Sequence, residues 1–210
     1  MVKHISQLTS RGAASRERIL RCALSLFALR GYDGVRVDEI ARKAQCNKAL
    51  LYYHFPSKQA LYQEIIQEVF EEVFNSIKPI LNQPISPIEK LRGALSVFID
   101  KYAVKRDFSQ LMVREILTKV RNIPDSTRDI MKGVFYKFKT VIDEGQQNGT
   151  IIRKDPTLIY RFLIGSLIAS ILTQPLPQIL LKLSESDAAE AQKRQKEVLL
   201  DILMRGIQNG

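Results

Sequence analysis

The chain has 210 residues, 45% of them apolar and 26% charged, the balance of a soluble globular protein with room for one medium domain or a small domain fused to a larger one. Lys and Arg number 32 against 22 acidic residues, a formal charge of +10, which points to a polyanionic partner, nucleic acid or an anionic membrane surface. Two cysteines, Cys22 and Cys46, exclude a disulfide framework. The longest apolar stretch, Phe162–Leu172, has eleven residues, short of the roughly 20 that a membrane span needs. With no signal-like run at the N-terminus, these features predict a cytoplasmic protein.

The charge is uneven. Residues 1–60 hold eleven basic and four acidic side chains, so most of the excess lies in the first quarter. There, "SRERILRCALSLFALRG" sets Ile19, Leu20, Ala23, Leu26 and Phe27 at helical spacing, with Gly31 as the stop. "VDEIARKA" predicts a helix of about two turns, with Asp38 and Glu39 at its positive end. A third short helix spans about Lys48 to His54 behind Asn47 as N-cap. After the Pro56-Ser57 break, a longer helix opens at Lys58 and runs to about Lys78. Further on, Ser86-Pro87-Ile88-Glu89 has a capping-box pattern. Asp125 and Asp155 are further start signals, and Asn148-Gly149 ends a long helix. "TQPLPQILLKLSESD" is the least regular segment, and a last helix follows from about Asp187 to Ile207. The pattern predicts an all-α fold of about nine helices and no strand.

Two short helices joined through Gln45-Cys46-Asn47 fit a helix-turn-helix, whose second helix enters the DNA major groove. A helical wheel places Leu51, Phe55 and Tyr52 on one side, Ala49 and Tyr53 opposite, and Leu50 and His54 on the flanks. Leu51 and Phe55 then anchor the helix, while Tyr53 and His54 face outward toward phosphates. Lys48 and Lys58 add charge at either end.

The stretch "RERILRCALSLFALRGYDGVRVDEIARKAQCNKALLYYHFPSKQALYQEII" resembles the DNA-binding region of TetR-family transcriptional regulators. The resemblance rests on Ile19-Leu20, Ala23, Phe27, Gly31-Tyr32, Val37, Ile40-Ala41, Ala44, the run Leu51 to Phe55, Lys58 and Leu61. It implies a homodimer that binds double-stranded DNA at a palindromic operator and is released by a small ligand. Residues 1–60, with the start of the fourth helix, would bind DNA, and residues 61–210 would dimerise and bind ligand. The DNA-facing residues it implies are Arg36, Gln45, Lys48, Ala49, Leu50, Tyr52, Tyr53, His54 and Lys58. Three departures stand out. Arg36 occupies a helix-capping position usually held by Ser or Thr, and Gln45 replaces the usual turn glycine, which strains that turn. Ala49 and Leu50 offer only apolar contact to bases.

The remaining residues give coarser signals. Phe70, Phe74, Phe98, Tyr102, Met112, Phe135 and Phe138 lie on apolar helix faces. They are core or, guided by the resemblance, the lining of a site for an apolar or amphipathic small-molecule effector. "YRFLIGSLIAS" mixes small residues with large aliphatics; with the last helix it predicts a dimer seam through Gly165, Ile168, Ala169, Leu199 and Ile202. Cys22 reads as a small packing residue, and Cys46 in the turn is open to a redox role. Cys22, Cys46 and His54 lack the spacing and the fourth ligand of a zinc site, so no metal and no cofactor is expected. No phosphate loop or nucleophile elbow is present, and the chain does not read as an enzyme. The rival reading is a ligand-carrying helical bundle whose basic patch meets an anionic membrane.

Overall fold

The computed structural model describes the backbone of all residues except 1, 105, 119, 120, 174, 175, 177, 178, 181–184 and 210. It describes the same residues' side chains, less those of 2–11, 102–104, 106 and 185–193. Among the described residues nine helices are found: α1 (Val2–Arg30), α2 (Val37–Lys43), α3 (Lys48–His54), α4 (Lys58–Leu81), α5 (Pro87–Val104), α6 (Arg106–Leu117), α7 (Asp125–Gln147), α8 (Pro156–Thr173) and α9 (Glu185–Ile207). The predicted all-α class holds; β pairing among the described residues is limited to an isolated bridge between Ile151 and Gln208.

Two boundaries differ from the sequence pattern. α1 begins at Val2, well before its apolar periodicity starts, and no proline interrupts the segment. α4 continues past Lys78 through Pro79 to Leu81. Proline in the last turn removes one hydrogen bond there, and Asn82 and Gln83 close the end by donating to the carbonyls of Pro79 and Ile80.

The chain divides into two compact units, Met1–Val69 with Gln110–Thr127, and Phe70–Ser109 with Arg128–Gly210. The first buries Ile19, Ala23, Phe27, Ile40, Ala44, Leu51, Phe55, Leu61 and Ile66 to complete exclusion of solvent. α1, α2 and α3 pack on one another in this unit. Residues 110–127 belong to it because two neighbours in α6 reach into it. The Arg114 guanidinium donates to the carbonyls of Ala28 and Leu29 (3.0 and 2.8 Å), satisfying the open end of α1 from 85 residues away. The Glu115 carboxylate, only 2% exposed, accepts a short hydrogen bond from the Tyr62 hydroxyl. Burial first, and this carboxylate second, hold the Tyr62 phenol far above its ordinary range.

The second unit is built around Leu81, Leu91, Leu95, Phe138, Ile142, Ile151, Leu163, Leu167, Leu203 and Ile207, with α5 packed on α8 and α9. Its start signals form as the sequence predicts. Ser86 Oγ accepts from the Glu89 amide (3.3 Å), and the Glu89 carboxylate accepts from the Ser86 amide (3.0 Å). The turn after α7 uses Gly149 at φ +80°, and the Gln146 side chain donates to the carbonyls of Ile152 and Lys154.

Candidate nucleic-acid interface

The reading head is assembled on α1. Its C-terminus stops at Gly31, which adopts φ +73° and donates from its amide to Phe27 (2.7 Å). A side chain on Gly34 would come within 2.4 Å of the Arg30 carbonyl, so the link into α2 demands glycine. Arg36 then takes the N-cap position in extended conformation. A guanidinium has no acceptor, so the arginine side chain cannot cap, as its identity predicts. Instead the Glu39 carboxylate accepts from the Arg36 amide (2.8 Å) and from Arg30 Nη1 (2.9 Å). Those two hydrogen bonds, Arg30 first, hold the Glu39 carboxyl below its usual range.

The turn from α2 to α3 is a Schellman closure. Cys46 donates to the Ala41 carbonyl (2.9 Å) and Gln45 to the Arg42 carbonyl (3.1 Å). The residue at the left-handed corner is Gln45, at φ +50°, among the described residues the only non-glycine with positive φ. Arg18 Nε on α1 donates to the Ala44 carbonyl (2.7 Å), and Lys43 Nζ donates to Ser25 Oγ (2.9 Å). The turn is thereby fastened to one stripe of α1. Asn47 then caps α3, its Oδ1 accepting from the Leu50 amide (2.8 Å).

α3 buries Leu51 and, at its end, Phe55 completely. The opposite side is open: Tyr53 is 81% exposed and Tyr52 46%, so Tyr52 lies farther out than the wheel suggests. Gln45, Lys48 and Ala49 are exposed and Leu50 half-buried. His54 departs from the expected outward position. Its Nε2 is buried without a hydrogen bond, and its ring meets Tyr53 edge-on at 5.2 Å; any contact to DNA from this ring would come through Nδ1. Lys48 Nζ lies 2.5 Å from Asp38 Oδ1. Lys58 Nζ sits 4.2 Å from the centre of the Tyr32 ring, half-buried, and burial lowers its pKa from the ordinary lysine value. Tyr32 in turn packs edge-on against Tyr62 at 5.0 Å.

Several bases counted in the sequence are engaged within the unit. Arg16 pairs with Glu64 and lies 5.4 Å from the Phe55 ring centre; Arg21 pairs with Glu17 and Arg30 with Glu39. Arg36 and Arg42 enter no ion pair among the described residues. Both line an open cleft of about 740 Å³ beside α2, together with Arg30, Asp33, Gly34, Asp38 and Glu39. Arg42 is the residue that sequence reasoning passed over, since its position on a short helix gives no sign of which way it faces.

The other expected residues lie in different surroundings. Phe135 and Phe138 both meet Tyr160, at 5.1 and 5.6 Å, but Phe138 is solid core at 1% exposure. Phe70 packs edge-on against Phe108. Phe74, Phe98 and Phe135 are half-buried. Met112 is buried in the other compact unit, and the Tyr102 side chain falls outside the described residues. In the expected seam, Gly165, Ala169 and Ile202 are exposed and Ile168 and Leu199 half-buried.

Left-handed backbone costs a residue with a Cβ about 1–2 kcal/mol, and glycine's greater unfolded freedom takes back roughly 0.5–1 kcal/mol of any gain. Gln45→Gly is therefore expected to stabilise the protein by up to about 1 kcal/mol. The check is the midpoint of urea denaturation; a lowered midpoint would mean that the Gln45 side chain holds the turn through contacts worth more than its strain.

Residues 19–65 match the sequence profile of bacterial regulatory proteins of the tetR family. The chain is 36% identical over 84 residues to the biofilm operon icaADBC negative transcriptional regulator IcaR of Staphylococcus aureus, an alignment covering 40% of this chain; it spans 45% of that relative's length. It is 27% identical over 158 residues to the HTH-type transcriptional repressor KstR2 of Mycolicibacterium smegmatis, covering 73% and 76% of the two chains. Its fold superposes on the structure of KstR2 of Mycobacterium tuberculosis, a ketosteroid transcriptional regulator, with a TM-score of 0.73, 21% identity and coverage of 93% and 95%. The first unit thus matches the tetR family of bacterial regulatory proteins in sequence over residues 19–65, and the chain as a whole shares the fold of KstR2.

Proposed function

We propose that the protein is a cytoplasmic, sequence-specific DNA-binding repressor that acts as a homodimer on a palindromic operator and is released by a small molecule. The observation that carries the first part is α3: a helix that buries Leu51, and Phe55 at its end, completely while Tyr52 and Tyr53 stand exposed, in the same compact unit as Arg36. Tyr53, Arg36, Lys48 and Lys58 would position the head on phosphates, with Arg42 beside them. Gln45, Ala49, Leu50 and Tyr52 would meet base edges, and His54 would contribute through Nδ1. Because the cap of α2 uses the Arg36 backbone amide and not its side chain, Arg36→Ala should leave folding intact. It should weaken specific and random duplexes alike and reduce the slope of log affinity against log salt by about one unit. An unchanged slope would remove Arg36 from the phosphate contacts.

The dimer reading rests on α8 and α9. Leu158, Phe162, Gly165, Ala169 and Leu172 recur at alternating spacings of four and three and are all exposed. Val198 and Ile202 extend this surface on α9, at 56% and 59% exposure. The small residues admit close helix approach. A second copy on this surface would set two heads on half-sites one DNA turn apart, about 34–36 Å. Ile202→Arg leaves the monomer's core untouched, yet would bury an unpaired charge in the dimer. It is expected to sediment as a monomer and to lose operator affinity while keeping weak, salt-sensitive binding to random duplex. A dimeric variant with full affinity would move the seam elsewhere.

The effector reading is supported by the half-buried aromatics Phe74, Phe98 and Phe135 in the second unit and by a fold relative described as a ketosteroid regulator. An apolar or amphipathic compound found by thermal shift should weaken operator binding, and operator duplex should weaken the compound's binding by the same factor. Equal affinity for the compound with and without duplex would leave these rings as core only.

A further inference from the structure

The two cysteines lie on either side of the contact that orients the reading head. On α1, Arg18, Cys22 and Ser25 follow one another at spacings of four and three, so they share one stripe. The residues at both ends of this stripe grip the α2–α3 turn: Arg18 holds the Ala44 carbonyl at 2.7 Å and Ser25 receives Lys43 Nζ at 2.9 Å. Cys22 lies between these two grips, and Cys46 is the second residue after Ala44. Both are free thiols and both are half-buried. Burial raises the Cys46 thiol pKa, the Arg18 charge works against that rise, and Cys22 is near enough to push it further up.

We propose that Cys22 and Cys46 form a dithiol that a low-molecular-weight disulfide closes into an intrachain disulfide, releasing the head from DNA. One cysteine thiolate attacks the small disulfide and expels one small thiol. The other cysteine then attacks the mixed disulfide and expels the second. One S–S bond forms in the protein and one breaks in the oxidant, and the two protons of the cysteines end on the two small thiols. Thiolate at Cys46 is scarce, so exchange through an encounter with Cys22 fits the pair better than direct attack on a peroxide. A disulfide holds its sulfurs at about 2.05 Å and its Cβ atoms at about 3.8 Å, which ties Cys46 covalently to α1. Cys46 stands between the left-handed corner at Gln45 and the α3 cap at Asn47. A covalent tie at that point constrains the aim of α3.

The consequence for DNA rests on the repressor reading above, so the test reads the sulfur chemistry and the binding separately. The full-length protein is equilibrated over a series of reduced-to-oxidised glutathione ratios. Intact mass and peptide mapping report the sulfurs, and fluorescence anisotropy reports binding to a duplex that the reduced protein selects from a random pool. The expected result is loss of two hydrogens, a peptide joining Cys22 to Cys46, and operator binding weakened by about fivefold or more, all reversed by excess thiol. Cys22→Ser and Cys46→Ser are expected to bind as the reduced wild type does and to ignore oxidised glutathione; Cys22→Ala and Cys46→Ala replace any serine variant whose thermal melt shows it unfolded. Glutathione adducts without a Cys22–Cys46 link overturn the dithiol. A link formed with unchanged binding overturns its regulatory role, as does equal loss of binding in the single variants. A reduced protein that selects no duplex defeats the repressor reading itself, while the mass data still decide the dithiol.

Discussion

Arg18 reaches from α1 to the Ala44 carbonyl, and the rest of the reading head depends on that fastening. α3 has seven residues, far too few to hold helical shape alone in water. It persists because its start is fixed by the turn and its inner side is locked by Leu51 and Phe55. The turn itself contains a residue in an unfavourable conformation, Gln45, and stays closed only because the two Schellman hydrogen bonds and the grips from α1 over-determine it. A change at this contact is transmitted directly to the orientation of the side chains on α3.

The same economy governs charge. The excess of bases in the first sixty residues overstates what is offered to a polyanion, because Arg16, Arg21 and Arg30 are paired with carboxylates. Exposed pairs of this kind contribute little stability each. Arg36 and Arg42, by contrast, enter no ion pair among the described residues and line the cleft beside α2. Lys58, laid on the Tyr32 ring, belongs to both groups: its charge remains near the surface while its stem packs into an aromatic cluster that includes Phe27 and Tyr62.

In the second unit the informative helix is α8. Its eighteen residues have a mean hydropathy of 1.5, enough by length and composition alone to cross a membrane, although only 17% of it is buried. A helix apolar on every side needs covering on every side. Ile159, Leu163 and Leu167 are covered by the unit's own core, whereas the stripe from Leu158 to Leu172 is left open. Gly165 has nothing within 4 Å of where a side chain would begin, the condition for another helix to approach closely. The sequence of α8 is therefore more apolar than the covering supplied by its own unit.

The sequence by itself determined the helical class, the helix-turn-helix and its cap, because these are written in local signals: apolar spacing, Asn47 before Lys48, Ser86 before Glu89, glycine at Gly31. It also marked Gln45 as a misfit, since a left-handed corner has a residue preference that can be read one position at a time. What only the tertiary structure decided was contact between distant segments. Nothing near Arg114 or Glu115 announces that one closes the end of α1 and the other receives Tyr62, and no local pattern separates Arg36 from the paired Arg30. His54 shows the same limit: a wheel gives the direction of a side chain from its own helix, but whether its nitrogen is covered depends on what packs beside it. Phe138 and Met112 were indistinguishable from cavity-lining residues for the same reason, since hydrophobic burial has no direction and a side chain's identity does not state which neighbours fill the space around it.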